Sequence, residues 1–453
     1  MAGRDDAKNF VCACCDTFGS CNGISGAGLS VSRRSADNSH GPLDRHHGVL
    51  WHALVLPLEL SQQGNQVTGS FDGDKLEGTF DGNSLRFRAK DDQGGTEECT
   101  AALTQPETLA GTLLFTNAGD GARAASYKFT AKRVPQRRNE PARRHEFTPT
   151  AFHRQFSGAN KPVLTIRPGD SVHTTTVDAS GTDEKGAKRV LGGNPQTGPF
   201  YIETAAPGDT LVVRLARVRL NRDWAISDDG IVERGLTSDL AVKTKGLFKD
   251  VRWHLDAQRG VATPEKPAEH LTHYSVPLRP MLGCVATAPG PSQAAPGTGD
   301  SGRYGGNMDF NEIVEGATVF LPVNVPGALL YLGDGHAVQG DGELTGNALE
   351  TSMEVEFAVD VIPGKRLSSP RVESASHIMA MGLGGSLDDA FRAATNNMAQ
   401  WLADRYQLTP SEVAQVLGTA AEYKVSEVAD RNAGIVLKIN KERLQGLSVT
   451  ANK

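Results

Sequence analysis

Apolar and polar residues alternate along the first legible part of the chain in short runs separated by turn dipeptides. Between Trp51 and Lys132 the runs are Leu54–Leu60, Val67–Phe71, Leu76–Phe80, Leu85–Ala89, Thr100–Leu103, Leu109–Phe115 and Tyr127–Ala131. No helix-length pattern lies between them. Instead there are Gly64-Asn65, Asp72-Gly73, Asp81-Gly82 and Gln93-Gly94. Asp-Gly between alternating runs signals a hairpin, because both central residues of the tight turn need positive φ. Strands in this meander order predict a small β-barrel or sandwich, closure removing the exposed edges.

Extended patterns return from Val163 to Ile362, in Val163–Ile166, Thr174–Asp178, Tyr201–Thr204, Thr210–Val218, Ala317–Pro322, Ala328–Leu332 and Met353–Val361. "IRPGD" (Ile166–Asp170) and "AAPGD" (Ala205–Asp209) each precede such a run and read as one Pro-Gly turn used twice. The period then changes. Ser386 is placed as the N-cap of a helix whose apolar face is Ala390, Ala394, Met398 and Leu402. A second helix starts at Thr409-Pro410 and runs to about Ala421, and a short strand follows at Ile435–Ile439. The expected organisation is a flexible Cys-rich tail (1–48), an all-β hairpin domain (49–132), a basic Pro-containing linker (133–145) and a larger domain (146–450), helical from about 385. The fold class is therefore mainly β. A sandwich- or barrel-like domain with a small C-terminal α/β subdomain follows a small meander barrel or sandwich.

Composition narrows the function classes. The 453 residues carry 50 Gly, only 6% aromatics and a net charge of -6, which suits many tight turns and argues against nucleic acid or an anionic membrane as partner. No apolar run approaches the ~20 residues of a membrane span. Cys12, Cys14, Cys15 and Cys21 are spaced unlike the usual zinc pairs and sit among Gly, Ser and Asn, so they are assigned to the tail. A charged stretch followed by an apolar core is not readable at the start, and the expected location is cytoplasmic.

The densest polar constellation is Gly333–Glu343, where His336 stands with Asp334, Asp341 and Glu343 among glycines after an apolar strand. One imidazole with carboxylates suits a divalent ion; the plain alternative is a polar turn whose Asp residues bond their own backbone. Asp309 in "GGNMD" either adds a carboxylate to that site or belongs to a turn. Glu203 lies on an apolar run and is ambiguous without a partner. His173 and Asp178, five apart, fall on opposite faces of a flat strand. Cys284 in "PMLGCVATAP" is either a thiolate nucleophile or a small buried residue. Fingerprints of serine hydrolases, P-loop enzymes and dinucleotide-binding proteins do not occur.

Several of these stretches together resemble the acetamidase/formamidase family: "VLTIRPGDSV" (Val163–Val172), "NPQTGPFYIETAAPGDTL" (Asn194–Leu211), "PMLGCVATAP" (Pro280–Pro289), "GRYGGNMD" (Gly302–Asp309) and "LPVNVPGALLYLGDGHAVQGDGE" (Leu321–Glu343). The helical "SLDDAFRAA" is similar as well, so the resemblance covers about 145–445 and leaves the hairpin domain outside. It implies metal-dependent hydrolysis of a short aliphatic amide, formamide or acetamide, to carboxylate and ammonia. It also implies a divalent metal at His336, Asp309 and Glu343, with Asp178 and Glu203 matching further acidic positions; with Asp334 beside His336, the expected metal ligands are His336, Asp309, Asp178 and Asp334, and the expected ion is zinc. Glu343, Glu203 and His336 are implied as catalytic groups. The implied partners are a small amide and further copies of the chain. Two rivals are kept, a β-rich ligand- or protein-binding protein retaining the amidase fold, and an amidase dependent on Cys284.

Overall fold

In the computed structural model the described residues are 7–14, 55–119, 124–133, 140–290 and 294–447. The expectations for 15–48 and for the basic stretch 134–139 fall outside them. The hairpins form a closed antiparallel barrel of eight strands: Ala7–Cys14, Val55–Gln63, Gln66–Phe71, Asp74–Phe80, Ser84–Lys90, Thr96–Gln105, Thr108–Thr116 and Ala124–Arg133. Asp72-Gly73 turns with φ of 50° and 96°, as the dipeptide requires. Alternate residues such as Leu58, Phe71, Leu85, Leu109 and Ala131 point inwards and are fully buried, so side chains fill the barrel. The first strand departs from the expected tail. Ala7–Cys14 pairs with both Val55–Gln63 and Ala124–Arg133, and this double pairing closes the barrel.

The rest of the described chain builds two large sheets, of eleven and nine strands. Part of the expected linker joins the second: Arg144–Glu146 lies parallel to Ser171–Thr175, and the Arg144 guanidinium reaches both oxygens of Glu356. The two Pro-Gly turns are built alike. Gly169 and Gly208 have φ of 97° and 96°, and the side chains of Asp170 and Asp209 accept from the backbone N–H of Arg167 and Ala206. Buried Val, Leu, Ile and Phe from both sheets form one core that includes Phe200, Leu215, Val285, Phe310, Leu332 and Phe357. Each such side chain contributes roughly 1.5–3 kcal/mol by leaving water.

Helices Leu387–Tyr406 and Pro410–Ala420 pack on the nine-stranded sheet through Ala390, Ala394, Met398 and Val413. Ser386 caps the first by accepting from Asp389 N–H, and Thr409 with Glu412 forms a capping box on the second. The expected final strand is Ala433–Asn440, and a hairpin partner that the sequence pattern did not flag, Glu422–Glu427, lies beside it. No helix among the described residues is long and apolar enough to cross a membrane.

Candidate active site

The strand Met281–Ala286 runs between Gly305–Asn307 and Leu330–His336 in the eleven-stranded sheet, and the site is built over it. Asp334 and His336, two residues apart on one strand, share a face. Asp309 follows the short strand Gly305–Asn307, and Glu350 lies opposite His336 in the ladder with Glu350–Thr351. Glu343 comes from the loop between those last two strands.

These side chains meet. His336 Nε2 is 3.0 Å from Glu350 Oε1, 3.4 Å from Asp334 Oδ2, and 4.0 Å from both Asp309 Oδ1 and Glu343 Oε1. All five residues are buried. Two overlapping triplets, Asp309/Asp334/His336 and His336/Glu343/Glu350, hold their ligand atoms within 4.8 Å of one another. Asp309 Oδ1, His336 Nε2 and Glu350 Oε2 are buried without a hydrogen-bond partner. Polar atoms left unpaired in a dry interior are costly, and one imidazole with converging carboxylate oxygens is a donor set that a divalent cation satisfies. The residues therefore fit a metal.

Burial and neighbouring charge shift the proton affinities of these groups, and not all in one direction. Burial drives Glu343 and Asp309 well above the usual carboxylate range, and neighbouring carboxylates add to it. Burial also lifts Glu350, to about 7. Asp334 goes the other way: burial alone would raise it, but the His336 charge together with hydrogen bonds to His336, Asp309 and Asn194 brings it down. Burial would lower His336, but Glu350 and Asp334 push it well up.

The backbone is strained at the same place. Asp309, Asp334 and Glu343 have φ of 40°, 56° and 46°, and neighbouring Asn194 has 56°. Asn and Asp tolerate this region; for Glu343 it costs on the order of 1 kcal/mol, held in place by the surrounding fold. Asn194 Nδ2 donates to Asn307 Oδ1 (2.5 Å), and Asn307 Nδ2 donates to Asp309 Oδ2 (2.6 Å) and Asp430 Oδ2 (2.7 Å). A cavity of about 1260 Å³ opens beside the cluster, bordered by Asn194, Asn307, Asp334, Glu343, Glu350 and Asp430.

Gly283 makes the geometry feasible. A Cβ there would lie 2.3 Å from both Asp309 Oδ1 and Asp334 Oδ2. Gly283→Ala is expected to push the two carboxylates apart and weaken divalent-ion binding by at least about tenfold. Competition with a chromophoric chelator measures this, and unchanged affinity would show that the carboxylates tolerate the methyl group.

Four of the residues singled out from sequence, His336, Asp309, Asp334 and Glu343, thus lie together. Asp178 borders the same cavity, but its Oδ2 accepts from Arg222 Nη2 at 2.7 Å and its Oδ1 from Ser180 Oγ and Thr182 N–H. Its oxygens serve a buried ion pair, and Asp178 is in neither of the triplets that group around His336. Glu203 lies apart from the cluster. It sits partly exposed in the turn after Thr197–Ile202, its charge facing Arg167, and does not border the cavity. Cys284 is fully buried against Phe156, Tyr304 and Tyr331; burial, with Asp334 and Asp309 nearby, pushes its thiol well up, opposite to what a thiolate nucleophile needs. Glu350, Asn194, Asn307 and Gln339 were missed. For Glu350 the only signal is its pairing across from His336, which no local pattern contains.

Residues 292–433 match the Acetamidase/Formamidase family. A protein of Schizosaccharomyces pombe named for formamidase activity is 29% identical over 193 residues, 33% of this chain and 47% of that protein. The formamidase of Methylophilus methylotrophus is 26% identical over 215 residues, 37% of this chain and 51% of its own. The chain thus spans about half the length of these curated relatives. The crystal structure of an acetamidase from Bacillus halodurans superposes with a TM-score of 0.58 at 28% identity, covering 67% of this chain and 100% of that one.

Proposed function

With its fold shared with a solved acetamidase and residues 292–433 matching the acetamidase/formamidase family, the chain is related to that family, and we propose that it hydrolyses a short linear amide, formamide or acetamide, to carboxylate and ammonia. The observation that carries this reading is the buried meeting of His336 with Asp309, Asp334, Glu343 and Glu350 beside a cavity. Zinc is the proposed ion, held by His336 Nε2 and oxygens of Asp309, Asp334 and Glu350; when bound it would polarise an amide carbonyl and acidify a water. Self-association of the chain belongs to the same proposal, on the strength of the family resemblance alone.

The protein's own groups do the rest. Glu343 borders the cavity; with a cation's charge offsetting the burial that raises its proton affinity, it would be free to take one proton from the attacking water as the new C–O bond forms. It returns that proton to the amide nitrogen as the C–N bond breaks. This second transfer matters because an unprotonated amide nitrogen leaves poorly. The carboxylic acid released then ionises and ammonia takes up its proton in solution, so atoms and charge balance. Asn307, bonded to Asp309, keeps that carboxylate aimed into the site.

Ammonia release from formamide and acetamide, before and after chelation and with bound metal recorded, tests the reading. Release that chelator stops and one ion restores is the expected result. Robust release from metal-free protein would overturn the metal assignment. Metal-loaded protein inert towards both amides would overturn the substrate.

A further inference from the structure

We infer that Gln339 is a positioning residue that fixes the tautomer of His336, so that Nε2 meets a cation with its lone pair. The inference rests on the reading of this cluster as a cation site and is independent of which amide is cleaved. Gln339 lies three residues beyond His336 and is buried. Its amide has one group that donates and one oxygen that only accepts, and its surroundings decide which is which. One end lies 2.6 Å from the Asp309 carbonyl oxygen and 3.1 Å from the Ser426 carbonyl oxygen. Both neighbours only accept, so that end is the NH₂ group.

The other end, the amide oxygen, is then the atom 2.9 Å from His336 Nδ1. An amide oxygen cannot donate, so Nδ1 carries the hydrogen. In the neutral ring Nε2 is left bare, and Nε2 is the atom that faces Glu350, Asp334, Asp309 and Glu343. The opposite tautomer would set two lone pairs against each other at Nδ1. Metal-bound histidines commonly need such a partner on the other ring nitrogen, which orients the ring and fixes its proton. Here the same side chain also grips the carbonyl of Asp309, so one amide aligns the imidazole and the backbone of a second candidate ligand.

The test uses zinc itself as the probe. In the zinc-loaded wild-type protein, long-range nitrogen–proton NMR of ¹⁵N-histidine should find the His336 N–H at Nδ1, with the signal assigned by its loss in His336→Asn. Gln339→Leu should weaken zinc binding by about 10- to 100-fold, the range usual for loss of an outer partner. Gln339→Glu keeps an acceptor for Nδ1–H and should bind zinc within about threefold of the wild type, although it lacks the NH₂ that holds the two carbonyls. Equal weakening in both variants would mean that Gln339 merely staples loops, and the inference would fall. An N–H found at Nε2 in the wild type would overturn it without any variant, even if Gln339→Leu did not fold. Failure of the wild type to bind any divalent ion would instead overturn the cation site on which the inference stands.

Discussion

Replacing His336 with alanine is expected to lower ammonia release from acetamide by at least about 10²-fold while the chain still folds. Loss of an outer-shell partner of a metal site already costs about 10- to 100-fold, and here the only nitrogen donor of the cluster goes. The four carboxylates that remain can lower their mutual repulsion by taking up protons, which is the direction burial already drives Glu350, Glu343 and Asp309. Circular dichroism and the unfolding temperature check the fold; the ammonia assay checks the chemistry. Full activity in this variant would remove His336 from the mechanism.

The second large effect concerns stability. Arg222 and Asp178 form an ion pair at 2.7 Å with side chains only 1% and 4% exposed. Arg222 Nε also donates to Thr351 Oγ1, and its guanidinium lies 3.5 Å from the centre of the Trp224 ring. Arg222→Met strands a carboxylate in the interior, and breaking one side of such a pair costs about 3–5 kcal/mol. Adding Asp178→Asn should recover most of that loss, because the uncompensated charge goes too. Denaturant unfolding measures both. A loss below about 1 kcal/mol in Arg222→Met would mean that water reaches Asp178 and that its oxygens are free for other work.

The parts of this fold that could be read from sequence are those whose cause is local. Asp72-Gly73 dictates its own turn, Ser386 and Thr409 cap the helices that start beside them, and the two Pro-Gly-Asp turns close on their own side chains. The same holds in the site. Asp334, His336 and Glu343 stood out because glycines crowd one short stretch. What escaped is held by distant chain. Ala7–Cys14 closes the barrel by pairing with strands that begin about 45 and 110 residues later. Asp178 looked available because Arg222, 44 residues on, carries no mark of its partner. Glu350 belongs to the cluster only through strand register, and a single-residue slip would turn it away.

The loop that carries Glu343 is pinned from far along the chain. Ser426 O accepts from both Gly342 N–H and Gln339 Nε2, and Val428 N–H donates to Gly342 O. Glu427 therefore lies beside Gly342 as a parallel bridge. During synthesis, about 90 residues separate His336 from this clamp. At about 5–20 residues per second, the clamp emerges on the order of ten seconds after the imidazole it helps to position. Until then the Gly342 segment lacks these bonds, so the loop that carries Glu343 is the part of the cluster pinned last.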